Sequence, residues 1–469
     1  MGAPETKPIQ PLHRQLGAFE VLLLTLSALS PAASVFISGA AVVHLAGTGA
    51  SIAFLGGGVI ASILALLYAE LAASFPHAGG PYGSVSGALG SRAGFVVQAL
   101  YIVTSPAFVA FTAWGFGDYV HFLVPQLNPL FLALSAVLLA VLISILNLRT
   151  NAWVTALFLG IELVAILIFS TVCATHPARS FGEVLSHPVM PGPKGLVPTS
   201  IEAAALGVVA GAWACAGANW AMFFGEELHD APKRIGGVIA MAGVIASFLI
   251  SIPVVLFTLS ARGLPSALSA EAPFAAFLTQ AGGTRLGTLV SLGIATAIFN
   301  SLIVSTIASS RSYYTNGRDG IFPRRVNSAL TRIHDRFKSP WIATLVLGAI
   351  GAGFCLWGER MNILLLSGEV YSGALVALAV LIGRRLGRTG RTGYRTPLFP
   401  LAPLFGLLVA LGFVVASYMD PEAGRPSMMI LLGVVAAAAI YYQLVLKPRG
   451  WSVQIPTEPS RPADSVSAS

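Results

Sequence analysis

Gly207-Val-Val-Ala-Gly-Ala-Trp-Ala-Cys-Ala-Gly-Ala-Asn-Trp-Ala-Met-Phe-Phe-Gly-Glu-Glu227 lies in an apolar segment long enough to cross a bilayer, yet it does not read as one continuous helix. Gly207, Gly211 and Gly217 weaken the backbone, since each glycine costs a helix interior roughly 1 kcal/mol against alanine. Trp213, Asn219 and Trp220 set bulky and polar groups around the weak point. A helix interrupted inside a membrane frees backbone donors and acceptors, which are tolerated only where they are buried in protein or line a wet cavity. This segment is therefore the first place to look for a ligand.

Outward from it, the composition sets the class. Hydrophobic residues make up 55% of the chain and charged residues 10%, against a soluble norm of roughly 25% charged. Apolar runs of about 20 residues, the length that crosses a hydrocarbon core, recur throughout. The chain reads as a polytopic all-α membrane protein. Its net charge of +8 is unevenly placed. With alternate loops assigned to opposite faces, one face holds only Arg179, Lys194, Arg262, Arg285, Arg360 and Arg425 of the 27 Lys and Arg. Positive charge collects on the cytoplasmic side of membrane proteins, so both termini are expected there, in an inner or plasma membrane. The basic balance is thus topology and not a nucleic-acid footprint. Cys173, Cys215 and Cys355 imply no disulfide framework, and the scattered histidines offer no metal spacing. No cofactor is expected.

Twelve spans are read, at about 19–46, 50–75, 94–123, 129–147, 153–174, 200–225, 235–260, 286–312, 341–357, 361–382, 400–418 and 428–446. Residues 1–18 form a short polar tail without a signal peptide, and 447–469 read as a disordered tail, Pro- and Ser-rich in its later part. The first span carries Ser27-Ala-Leu-Ser-Pro-Ala-Ala-Ser-Val-Phe-Ile-Ser-Gly39, with Pro31 at mid-membrane. Proline removes an i→i−4 bond and clashes with the preceding turn, so a break is expected near Ser30. Each segment alone is open to a plain kink or packing-face reading. Together, interruptions in the first and sixth spans point to an inverted-repeat transporter with its site at mid-membrane.

Three further motifs carry a resemblance. Tyr68-Ala-Glu-Leu-Ala-Ala-Ser-Phe-Pro-His-Ala-Gly-Gly-Pro-Tyr82, Glu226-Glu-Leu-His-Asp-Ala-Pro-Lys-Arg234 and Gly317-Arg-Asp-Gly-Ile-Phe-Pro323 are similar, in order and spacing, to signatures of the amino acid–polyamine–organocation superfamily. The resemblance covers about residues 15–446. It implies a LeuT-type fold: a five-plus-five inverted repeat followed by two further helices. It also implies alternating access, with substrate held between the first and sixth helices and a cytoplasmic gate that includes Glu226 and Glu227.

By that resemblance, Ser30, Ala33 and Ser34 in the first span and Trp213, Gly217 and Asn219 in the sixth are the substrate-binding candidates, with Trp213 also closing over the substrate as part of the gate. Two departures stand out. The family's usual GSGxF aligns with Ala32-Ala-Ser-Val-Phe36, without its glycines, and the acid that often follows the helix-6 glycine is Asn219. Glu162 and Glu369 lie in mid-span, where a charge costs at least ~2.5 kcal/mol and marks a functional candidate. Glu162 aligns roughly with a helix-5 lysine of some relatives. It is open to taking a proton, binding sodium, attracting a cationic amine, or serving only as a hydrogen-bonding group. Among Asn300, Ser301, Ser305 and Thr306, the last two are the sodium candidates by resemblance. Asp118 and His121 read as a wetted rim. The expected activity is transport of an amino acid or related small amine, by proton symport or possible sodium coupling. The alternative is a polyamine or cationic-amine carrier, or an antiporter. Neither an enzyme's nucleophile–base set nor a channel's polar rings are visible.

Overall fold

The computed structural model describes residues 12–146, 148–192, 195–270, 272–358, 368–391, 393–422 and 424–454. Helix α1 (Ala18–Leu29) stops where Pro31 withdraws an amide donor. Ser30 turns the chain with a φ of 50°, its own N–H still bonded to Leu26 O at 2.9 Å. Helix α2 (31–46) restarts at once with Pro31 in its first position, where a missing N–H costs no intrahelical bond. It passes through a π turn at Ser34–Ser38 and ends with Gly39–Ala46.

Then come α3 (Ala50–Ser74), α4 (Pro81–Leu89), α5 (Ser91–Leu123), α6 (Pro129–Ser144), α7 (Leu148–Thr175) and α8 (Phe181–Ser186). A short antiparallel hairpin, β1 (Val189–Gly192) and β2 (Gly195–Pro198), leads into α9 (Ile201–Cys215). Beyond it lie α10 (Ala231–Ser260), α11 (Leu264–Ser269), α12 (Pro273–Arg318, kinked at Gly283), α13 (Arg324–Leu330), α14 (Trp341–Cys355), α15 (Gly368–Arg385), α16 (Leu401–Met419) and α17 (Gly424–Tyr441). Among the described residues, eight helical stretches are long and apolar enough to cross a membrane, the first holding two crossings, and α6 and α14 are shorter apolar helices. With α15, they are consistent with twelve crossings.

The second break falls after α9. Ala216 is extended and Gly217 adopts a φ of 133°, after which a 3₁₀ helix covers Ala218–Phe224. A side chain at Gly217 would be strained and would meet Leu29 at 3.0 Å, so the two interruptions face each other. Gly207 and Gly211 do not share in the break; they lie inside the continuous helix. Gly211 instead lets α9 close on α3: a Cβ there would come within 2.6 Å of Ala53 O. Of the three glycines only Gly217 is conformational, because only there does the chain need a positive φ.

The tail departs from expectation. Residues 447–454 fold back onto the bundle, although the tail from 447 onward is expected to be disordered. Trp451 is the reason: its ring packs 5.7 Å from Phe95 and 6.2 Å from Tyr442, and its Nε1 donates to Asp319 O at 2.5 Å. One amphipathic aromatic outweighs its polar neighbours. The remainder of the expected tail lies outside the described residues.

Glu70, fully buried on α3, ties the segment after α15 to the core. It accepts from Arg384 Nε at 3.0 Å, from Arg384 Nη2, from Thr389 Oγ1 at 3.0 Å and from Thr396 N at 2.8 Å. Removing one partner of a buried pair leaves an uncompensated charge at a cost of about 3–5 kcal/mol. Glu70→Ala should therefore lower thermal stability in detergent sharply, whereas the exposed Glu202→Ala should stay within about 0.5 kcal/mol of the parent. Equal melting temperatures for the two variants would refute this assignment.

Candidate functional site

The breaks in the first and sixth crossings border a cavity of about 310 Å³. Ala33, Ser34, Ile37 and Ser38 of α2 form one wall. Trp213 of α9, then Gly217, Asn219, Trp220 and Phe223, form another, and α5 contributes Tyr101, Thr104, Ser105, Phe108, Phe111 and Thr112. Ile298 and Ser301 of α12 also line it. Asn219 Nδ2 donates to Tyr101 OH at 3.3 Å, and Trp213 packs edge-on to Phe111 at 6.0 Å. Asp118 lines the cavity and is exposed, which places the mouth at that end of α5.

Behind the first break sits Glu162 of α7, with no solvent exposure. Its Oε1 accepts from Ala32 N at 2.7 Å and from Ser30 Oγ at 3.0 Å. The orphaned amide at the start of a half-helix attracts negative charge, and a side-chain carboxylate supplies it here. Its Oε2 has no hydrogen-bond partner among the described residues, and neither does Asn300 Oδ1. Asn300 Nδ2 and Ser27 Oγ both donate to Thr155 O, at 3.2 and 3.4 Å. Ser301 Oγ donates to Ala28 O at 2.7 Å, and Ala297 O lies 3.5 Å from Ser30 Oγ. The polar groups freed by the break are thus taken up by α7 and α12.

Near the end of α5 opposite Asp118, where Phe95 packs on Trp451 and Trp451 bonds Asp319 O, a second polar cluster closes the bundle. Arg318 Nη1 meets Glu226 Oε2 at 2.7 Å, and Glu226 Oε1 accepts from Ala78 N at 2.9 Å. Arg318 Nη2 lies 2.7 Å from His77 Nε2, and Arg318 Nε lies 3.3 Å from Asp319 Oδ1. Tyr82 OH donates to the other Asp319 oxygen at 2.6 Å. Two turns back along α12, Arg311 makes a two-pronged pair with Glu227 at 2.6 and 3.1 Å, lying over the Phe224 ring. These charged side chains are all 8% exposed or less.

The profile of the amino acid permease family matches residues 16–439. The chain belongs to that family. Its similar proteins include an uncharacterized transporter of Mycobacterium tuberculosis, 26% identical over 91% of each chain. The branched-chain amino acid permease BcaP of Bacillus subtilis is 25% identical over 90% of this chain and 92% of its own. The Asc-type amino acid transporter 1 of Mus musculus is 25% identical over 66% of this chain and 58% of its own. A crystal structure of a manganese transporter mutant from Eremococcus coleocola shares the fold, with a TM-score of 0.60 at 13% identity over 91% of this chain and 94% of that one. The architecture is LeuT-type, and the family and relatives are multi-pass membrane transporters, not enzymes.

Within this permease, Ala33, Ser34, Trp213, Gly217 and Asn219 line the cavity together, while Ser30 is turned back to Glu162. Glu162 is not a lining residue. Ser305 and Thr306 spend their hydroxyls on Leu302 O of their own helix, at 3.2 and 2.7 Å. The α12 groups that reach the break lie a turn earlier, at Ala297, Asn300 and Ser301. The side chain of Glu369, at the start of α15, lies outside the described residues. The wall supplied by α5 was missed from sequence. Its signal is nonetheless present: Tyr101, Thr104, Ser105, Phe108, Phe111 and Thr112 recur at the three-to-four-residue spacing of one helical face.

Burial, and then the charge of Arg318, hold His77 below its ordinary pKa of 6.5. Burial raises Glu226, but Arg318, His77 and the hydrogen bonds from Arg318 and Ala78 together bring it below its ordinary value of 4.5. Both groups bind protons more readily in the unfolded chain, so stability rises with pH across each window. The stability tied to His77 is complete above pH 6.5 and lost as pH falls through its lower folded value; that of Glu226 fades below 4.5. Thermal unfolding in detergent should show a decline from about pH 6.5 toward 5 that flattens in His77→Gln. A parent protein that gains stability over that window would instead mean that His77 is protonated in the native state.

Proposed function

We propose that this permease carries amino acids across the cytoplasmic membrane by alternating access, as a proton symporter with both termini in the cytoplasm. The observation behind the coupling is the single carboxyl group of Glu162, buried and bonded to the break at Ser30 and to the start of the second half-helix at Ala32. As a carboxylate it only accepts; once protonated it must also donate. A proton taken up on the unpartnered Oε2 would weaken what Oε1 accepts from Ser30 and Ala32, immediately before the cavity-lining Ala33 and Ser34. In this reading Gly217, Asn219 and Ser34 offer polar atoms to the substrate's amine and carboxylate. Trp213 closes over it. The pairs Glu226–Arg318 and Glu227–Arg311 are the cytoplasmic gate, shut while the cavity is open at Asp118.

Sodium coupling is the second reading, favoured by the two unpartnered oxygens, Glu162 Oε2 and Asn300 Oδ1, near the break. Ser305 and Thr306 donate to Leu302 O, which leaves their oxygen lone pairs open to a cation. A polyamine or cationic-amine carrier has less support, because Glu162 does not line the cavity and so offers a cationic substrate no counter-charge there.

Uptake of labelled amino acids into proteoliposomes, with pH and sodium gradients imposed separately, tests the proposal. A pH gradient should drive accumulation at least tenfold better than a sodium gradient. Glu162→Gln should abolish that drive while leaving exchange of internal for external substrate measurable. Accumulation that still follows the pH gradient in Glu162→Gln would remove this residue from the coupling.

A further inference from the structure

We propose that the cavity selects amino acids with large, planar aromatic side chains, an inference that rests on the amino acid permease reading above. Six of the lining rings form an unbroken arc. Trp213 packs on Phe111 at 6.0 Å, Phe111 on Phe108 at 6.1 Å, Phe108 on Trp220 at 5.4 Å, Trp220 on Phe223 at 5.7 Å and Phe223 on Tyr101 at 5.7 Å. The arc joins α5 to the broken sixth crossing, so both sides of the seam present ring surface. The small or aliphatic Ala33, Ile37 and Ile298 complete the lining beside the rings. The polar atoms fit for an amino acid's head group, at Ser34, Gly217 and Asn219, lie at the break itself.

Charge narrows the choice. Among the described lining residues the only charged side chain is Asp118, exposed at the mouth. Glu162 is turned to Ser30 and Ala32, and the arginines of the ion-pair cluster do not line the cavity. An anionic side chain carried to the arc would be desolvated against the rings without a counter-charge, which is costly, whereas a cationic one would meet ring faces but no carboxylate among the described lining residues other than Asp118 at the mouth. Size narrows it further. A cavity of about 310 Å³ is at the lower end for small-molecule sites, and an alanine side chain would leave the arc without contact atoms on one side. A flat ring stacks in the offset or edge-on geometry that aromatic pairs favour.

Substrate counterflow into proteoliposomes, which needs no ion gradient, separates this inference from the coupling mechanism. With labelled phenylalanine as the probe, unlabelled phenylalanine, tyrosine and tryptophan should compete at least tenfold better than leucine, with alanine, lysine and glutamate weaker still. Phe108→Leu and Trp220→Leu should each lower the phenylalanine-to-leucine counterflow ratio about tenfold, a ratio independent of how much variant protein folds. Leucine or alanine exchanging as well as phenylalanine would overturn the aromatic selection and leave the amino acid reading standing, as would a ratio unmoved in both variants. Exchange of putrescine or spermidine with no amino acid exchanged would overturn both.

Discussion

Every backbone group freed inside a bilayer needs a partner, and the bond from Ala32 N to Glu162 Oε1 is where this molecule meets that requirement at its first break. Pro31 and the positive φ of Ser30 stop the first helix in mid-membrane, so the second half-helix begins with amides that no preceding turn can bond. Water would satisfy them at the cost of flooding the packing between α1, α7 and α12. A carboxylate on α7 does so without water, and Ser301 on α12 takes the carbonyl of Ala28 on the other side of the break. The interruption is thereby fixed to two neighbouring helices, and the wall at Ala33 and Ser34 takes its shape from that attachment.

The ion-pair cluster obeys a different balance. Burying Arg311, Arg318, Glu226 and Glu227 together desolvates four charges, and such networks often contribute little net stability over an apolar core. What they provide is a contact that is strong when complete and poor when partial, because any partner left alone keeps a buried charge. Residues from the loop after α3, the segment after the 3₁₀ helix and the end of α12 all contribute. Separating those elements would cost little beyond rehydration if water entered at the same moment. In the gate proposed above, that balance would favour opening in one step.

Much of this was legible in the chain. The apolar runs gave the crossings, Pro31 marked the first break, the glycines around Trp213 pointed to a second, and the mid-span Glu162 stood out because a buried charge in a membrane is rarely idle. What was misread turned on context that local sequence does not carry. Gly207, Gly211 and Gly217 look alike in sequence, but only Gly217 has a positive φ, while Gly211 serves the approach of α3. Ser305 and Thr306 are as polar as Asn300 and Ser301; which pair meets the break depends on the rotation of α12. The tail's composition concealed the anchoring of Trp451. On α5 the information was present as a helical stripe, but rings at that spacing are the usual mark of a packed core.

One short element joins these features. The 3₁₀ helix Ala218–Phe224 rises about 2 Å per residue, more steeply than an α-helix, and its hydrogen bonds are poorer. At its start Asn219 holds Tyr101 beside the cavity. In its middle and last turn Trp220 and Phe223 complete the aromatic arc, while Phe224 lies under the Arg311 guanidinium. Glu226 and Glu227 follow directly. Ring contacts made at the cavity and ion pairs made at the closed end are therefore borne by a run of nine residues, 219–227, beginning two residues beyond the flexible point at Gly217. A displacement of that run large enough to release Glu227 from Arg311 must also move Phe223 against Tyr101. The molecule thus needs no distant relay between its cavity and its closed end, because the same strand of backbone forms part of both.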